Sequence, residues 1–311
     1  RRSHGLMVAP IDDSDRTYVL LSSLDETIVQ HDQTFNLALH RFPGVYEPRG
    51  HKYITDFEYT PTPTITYRVG GVILRKEMLW IHKRTQLMIR YTLVDAHSET
   101  RLRLRPFLAF RDKHTLSKAN FYADGRSFPV TGGVRNRLYE GFPWLYLQTD
   151  AGAEFIPAPD WYYNFEYTEE RERGYDYLED LLTTGYFETE ITKGKPVVFS
   201  CSLEEVSSPA MLDEMFEAEA ARRSRKDVTR PGNSSSAMPA VPTSSQAIRG
   251  SDAGAATPSS PCRASRFRRE TFEAARRCST HSPDSCRRGF SRTWAPPTIR
   301  RTLRCGSSGY S

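Results

Sequence analysis

"RLRLRPFLAF", Arg101 to Phe110, decides the fold class. Arg and Leu alternate, so Leu102 and Leu104 fall on one face of an extended chain while Arg101, Arg103 and Arg105 fall on the other. Such a strand packs a core on one side and meets water or a partner on the other, as antiparallel sheets do. Runs of the same kind lie on both sides: "GLMVAP", "RTYVLLSSL", "TFNLALH", "KYITDFEYT", "TQLMIRYTLVD", "WLYLQTD", "WYYNFEYT", "GYFETEI" and "KPVVFSCSLEE". Each is strand length, rich in Val, Ile, Thr, Tyr and Phe, and bounded by turn residues. In "RVGGVIL" the pair Gly70-Gly71 marks a two-residue hairpin turn, where both positions need positive φ. About a dozen strands without long helices between them predict an all-β antiparallel sandwich rather than a βαβ fold.

Two helices are expected. One is short, in "YDYLEDLL", Tyr175 to Leu182. The other is "SPAMLDEMFEAEAARRSRKD", with Ser207 or Ser208 as N-cap, acids early, Arg and Lys late, and Met211, Leu212, Met215 and Phe216 at helical spacing. It reads as an exit linker from the sandwich.

The 311 residues divide into two materials near Val228. Val228 to Ser311 holds fourteen Arg, no Lys and four acids, a net charge of +10, so the preceding residues carry −5. Only five of the 36 aromatic residues lie in that tail. Ordering a residue costs about 1–2 kcal/mol of backbone entropy, which the tail has too little apolar surface to offset. The tail is therefore expected to be disordered. Cys262, Cys278, Cys286 and Cys305 lack the short spacings of a zinc site, and Cys201 alone in the patterned part fits a reducing compartment. The histidines show no H-x3-H or H-E-x-x-H spacing, and no nucleophile elbow, phosphate loop or dinucleotide fingerprint is present, so no metal and no cofactor are expected. No apolar run is long enough to span a membrane. The Arg-rich tail invites a nucleic-acid reading. Arg without Lys, amid Ala, Ser, Pro and Gly, is also what a GC-rich gene yields when translated out of frame, and no nucleic-acid partner is expected.

The densest candidate site is "WYYNFEYTEERERGYDYLEDL", Trp161 to Leu181, where four aromatics in the first five residues, with Asn164, lead to six acids between Glu169 and Asp180. Aromatic faces beside Asn, Asp and Glu suit sugar rings, and a carboxylate pair suits glycosidic chemistry. The competing reading is a solvated loop and helix whose acids are balanced by Arg171 and Arg173. "FLAFRDKH" ends its strand on Arg111, Asp112 and His114, either a ligand cluster or a strand-end ion pair.

Taken together, "HGLMVAP", "LSSLDETI", "RFPGVYEPRGHKYITDFEYTPTPTITYRVGGVILRKEM", "LRLRPFLAFRDKH" and "DWYYNFEYTEERERGYDYLEDLLTTGYFE" resemble the N-terminal domain of bacterial and archaeal glycogen debranching enzymes, the amylo-α-1,6-glucosidase family. The resemblance covers about Arg1 to Lys226. Ser3 stands before His4 where the family pattern has Tyr, and the family's leading strands are missing, so the natural start is expected upstream. The resemblance implies an antiparallel β-supersandwich over residues 1–206, a linker helix over 207–227, and a cytoplasmic enzyme of glycogen catabolism. Its catalytic acids sit in a C-terminal (α/α)6 barrel that removes α-1,6-linked glucose from an α-glucan such as glycogen or a branched maltooligosaccharide. Arg111, Asp112, His114, Trp161, Tyr162 and Asn164 then become candidates for a glucan-proximal or domain-interface role, with no catalytic residue in this part. A stand-alone α-glucan-binding module is the alternative.

The barrel is expected after the helix, where the tail stands. One base out of frame, codons compatible with "AIRGSDAGAATPS", Ala247 to Ser259, read GYPWFGRWGRDTF, which resembles the opening of the family's barrel. The same shift turns "TWAPPTIRRTLRCGSS", Thr293 to Ser308, into NMGTTYDSADAPLWFF, another barrel-like segment. A frameshift between about Val228 and Ala247 is thus expected, residues 228–311 replacing the start of the barrel.

Overall fold

The computed structural model describes residues 1–11, 16–31, 33–59, 61–150 and 152–228. In chain order its strands are β1 (Met7–Ala9), β2 (Tyr18–Gln30), β3 (Gln33–Asn36), β4 (Leu39–Phe42), β5 (Val45–Arg49), β6 (Ile54–Glu58), β7 (Thr64–Val69) and β8 (Val72–Trp80). They continue with β9 (Gln86–Asp95), β10 (Arg101–Asp112), β11 (Phe128–Val130), β12 (Gly133–Asn136), β13 (Leu145–Thr149), β14 (Glu154–Glu166), β15 (Leu178–Glu190) and β16 (Val197–Ser202). The helices are α1 (Thr168–Glu172) and α2 (Leu212–Val228).

One sheet runs β1-β2-β10-β15-β14, with β3 also paired to β2; a second runs β11-β12-β13-β16-β9-β8-β7-β6, and β4-β5 form a separate hairpin. All these pairings are antiparallel. The main core draws Leu20, Ile28, Leu102, Leu104 and Phe187 from the first sheet and Leu74, Ile89, Tyr91, Leu147 and Phe199 from the second. Phe187 and Phe199 meet edge to face with centroids 5.9 Å apart, so the two sheets stack as a sandwich. Each large apolar side chain buried there contributes about 1.5–3 kcal/mol.

The alternation read from β10 holds and extends. Leu102, Leu104, Leu108 and Phe110 enter the core between the sheets, whereas Phe107 and Ala109 join Val19, Phe165 and Leu181 in a second cluster. The expected hairpin joins β7 to β8, with Gly70 at φ 57° and Gly71 at φ 79°. Gly70 is needed twice over, because a Cβ there would also lie 2.7 Å from the Phe35 ring.

The short helix expected in Tyr175–Leu182 does not form. Leu178 begins β15, and the only helix nearby is the five-residue α1, upstream at Thr168–Glu172. Leu178, Leu181 and Leu182 sit at helical spacing, but β15 is paired on both edges, to β10 and to β14. It is also covered on both faces, with Leu182 in the main core and Leu181 in the second cluster. A doubly covered strand loses its polar-apolar alternation, so periodicity cannot distinguish it from a buried helix.

Helix α2 forms where expected and packs onto the outer face of the second sheet. Leu212 and Phe216 are fully buried against Leu79, Met88 and Val198. Ser208 caps a 3₁₀ turn, Pro209–Met211, without a side-chain hydrogen bond, so the helix proper starts later than its capping signal. Arg223 Nη2 donates to the Trp80 carbonyl at 2.8 Å, and Glu219 accepts from Arg222 and Arg223. Arg222 holds the Glu219 carboxyl down at about 2. Among the described residues no helix is long and apolar enough to cross a membrane. The expectations for residues 229–311, disorder and the frameshifted segments included, lie outside the described residues.

Candidate functional site

Of the six acids between Glu169 and Asp180, three are buried rather than solvated, Glu170, Glu179 and Asp180, and the preceding Glu166 is buried as well. Glu179 has no exposed surface. It forms an ion pair with Arg111, whose Nη2 lies 3.0 Å from Oε2, and also accepts from Tyr167 Oη and from the backbone and hydroxyl of Ser117. Burial and the neighbouring carboxylate together push the Tyr167 phenol well above its ordinary range. The partner of Arg111 is thus a carboxylate far along the chain rather than Asp112. Asp112 Oδ1 instead accepts from the His114 backbone N–H at 2.8 Å, capping the turn that ends β10, and the His114 side chain is exposed.

Asp180 completes the set. Its Oδ1 accepts from the Asn164 N–H at 2.9 Å and its Oδ2 from the Ala119 N–H at 3.1 Å. Asn164 is exposed at φ 63°, a conformation that Asn tolerates better than most residues. The backbone between β10 and β11 is therefore pinned at Ser117 and Ala119 by two adjacent carboxylates of β15. Further on, Asn120 Nδ2 donates to the Lys118 carbonyl and to Tyr139 Oη, and its Oδ1 accepts from the N–H groups of Tyr122 and Ala123. The Asp124 N–H closes onto the Leu138 carbonyl at 2.8 Å.

A loop of this length without regular structure ordinarily carries function or is mobile. This one is held at both ends, yet its tip presents Phe121 and Tyr122 at 107% and 89% exposure. Two adjacent aromatic side chains held in water by a bonded backbone form a ready contact for another surface.

The six residues singled out from the sequence do not converge. Arg111, Asp112, His114 and Asn164 surround the base of the loop, as above. Trp161 and Tyr162 point to opposite faces of β14: Trp161 packs on the main core, and Tyr162 packs on the second cluster and accepts from Arg105 Nη1 at 2.6 Å. The sequence reading missed Glu179 and Asp180 as anchors, and Phe121-Tyr122 altogether. "ANFYADG" lacks any run or motif, and an exposed aromatic tip has no sequence signature apart from its place in a long connection. Among the described residues no three His, Cys, Asp or Glu side chains gather as a metal site.

Residues 1–198 match the family described as Glycogen debranching enzyme N terminal. No curated protein matches the chain. Solved structures that resemble it include a bacterial glucoamylase complexed with acarbose, 8% identical at a TM-score of 0.40, covering 72% of this chain and 34% of that one. Another is a putative kojibiose phosphorylase from human microbiome, 10% identical at a TM-score of 0.29, covering 70% of this chain and 26% of that one. The chain thus spans about a third and a quarter of the lengths of these two proteins.

Proposed function

This chain belongs to the glycogen debranching enzyme N-terminal family, and from that premise we propose that it is the accessory β-domain of a cytoplasmic amylo-α-1,6-glucosidase of glycogen catabolism. On this reading the chemistry resides in a catalytic barrel that the domain supports and packs against, and the domain alone releases no glucose. The observation that carries the proposal is the family match over residues 1–198. The loop gives it a physical form. Arg111, Glu179 and Asp180 act as positioning groups, Asp112 and His114 form the turn that launches the loop, and Asn164 ties β14 to it. The Phe121-Tyr122 tip is the element that meets the barrel. The substrate is an α-glucan, reached through the whole enzyme, and the frame is broken between about codons 228 and 247.

Two proteins test this. The chain as it stands should release no glucose from a maltooligosaccharide bearing an α-1,6-linked glucosyl stub. The gene repaired by one base in the 228–247 interval should encode a longer protein that does. Glucose release by the unrepaired chain, or a stop codon inside the shifted frame, would overturn the proposal.

A further inference from the structure

On the side of the first sheet turned away from the core, three strands bring polar side chains into rows. Thr27 stands opposite Asn36 on β3 and opposite Arg103 on β10; Val29 stands opposite Thr34 and Arg101; Asp25 stands opposite Arg105. The rows define two adjacent depressions along the outer face of β2. One, of about 190 Å³, is lined by Asp25, Thr27, Thr34, Asn36, Arg103 and Arg105. The other, of about 250 Å³, is lined by Val29, His31, Glu99, Arg101 and Glu190. The two depressions are centred about four residues apart along β2, on the order of 13 Å, a span of several hexose units rather than one.

The chemistry of this strip is donor-rich but electrically offset. Glu188 takes Arg103 through Nη2 at 2.7 Å and Arg101 through Nη1 at 2.9 Å. His40 presents Nε2 to Asp25 at 2.7 and 2.9 Å. Arg105 is spread over the Tyr162 and Tyr186 rings, with centroids 5.8 and 5.5 Å away, which fixes its guanidinium in place. Arg, Asn and Thr donors thus stand beside Asp, Glu and Thr acceptors, with Glu99 and Glu190 opposing any anion and Val29 offering an apolar spot on the floor. Interspersed donors and acceptors of both signs around a small apolar contact suit a neutral polyhydroxyl chain better than a phosphate or a carboxylate.

We propose that this strip on the outer face of β2, β3 and β10 is a non-catalytic subsite that holds an unbranched stretch of α-glucan running along both depressions. The inference rests on the glucan reading above but assigns this chain its own binding surface. Such a subsite would keep a branched polymer near the enzyme between cleavage events.

The test is retardation of the full chain in native gels containing glycogen, with titration of maltoheptaose, for the parent and four variants. Thr34→Val removes one hydroxyl at an exposed edge, and Arg105→Gln removes the fixed guanidinium. Both should weaken maltoheptaose binding, the double variant at least fivefold, with the unfolding midpoint unchanged for Thr34→Val. Phe121→Ala/Tyr122→Ala should bind like the parent. Equal binding by the parent and the double variant, or loss confined to the loop-tip variant, overturns the strip while leaving the glucan reading intact. Displacement of maltoheptaose by millimolar inorganic phosphate overturns it in favour of an anion site. Absence of any glucan binding by the parent also overturns it, whereas the accessory-domain proposal stands or falls separately on the frame-repair assay.

Discussion

Arg111 and Glu179 lie 68 positions apart and are both buried, so each depends on the other for its charge to be tolerable. Glu179→Ala would strand the guanidinium and release Ser117 and Tyr167 together. The expected cost is about 3–5 kcal/mol in urea unfolding. A loss under about 1 kcal/mol, the range of exposed pairs, would contradict the anchoring role. Asp150 behaves in the opposite way. Burial lifts its carboxyl from 3.8 to about 6, against the bond it accepts from the Val198 N–H at 2.7 Å. Because the folded value is raised, the contribution to stability is fully present below about pH 4 and is lost as pH rises through about 6. Asp150→Asn should therefore unfold later than the parent at pH 7, by on the order of 1 kcal/mol after allowing for partial solvation, and match it near pH 4. Melting curves at the two pH values check this. The role of Glu179 was not legible beforehand: an acid in "TEERERGYDYLED" looks the same whether it faces water or a guanidinium brought in by another strand.

Helix α2 was predicted from its own residues and is fastened by residues far away. Its capping signal, early acids and apolar spacing located the helix to within a few positions. What it does was not readable, because Leu79, Met88 and Val198 belong to three separate strands. Phe216 is wholly buried among them, and Arg90 lies 4.3 Å from its ring centroid. Phe216→Ala should cost about 3–5 kcal/mol in chemical denaturation, with exposure of the outer face of the second sheet detectable by dye binding. An unchanged midpoint would mean that the helix is an appendage rather than a third layer. The elements read correctly, the β10 alternation and the Gly70-Gly71 hairpin, are those whose determinants are local. The element read wrongly, Tyr175–Leu182, is one whose conformation is set by neighbours on both edges and both faces.

At the scale of the whole molecule, a sandwich holds out a bonded loop whose aromatic tip is left uncovered among the described residues. Phe121→Ala/Tyr122→Ala should leave the stability of this chain within about 0.5 kcal/mol, since neither side chain is buried in it. In the frame-repaired protein the same double change should lower glucose release or barrel association at least tenfold, read by activity and by co-purification of separately expressed halves. Equal values would remove the tip from the interface. By itself the sequence determined the strand periodicity, the hairpin and the helix, because backbone geometry and short-range spacing suffice for these. The tertiary structure alone decided that Glu179 and Asp180 serve as anchors, that Trp161 and Tyr162 diverge, and that residues near 27, 34 and 103 form one surface. Those outcomes depend on strand register, which joins residues tens of positions apart, and a one-residue slip would turn every one of these side chains to the opposite face.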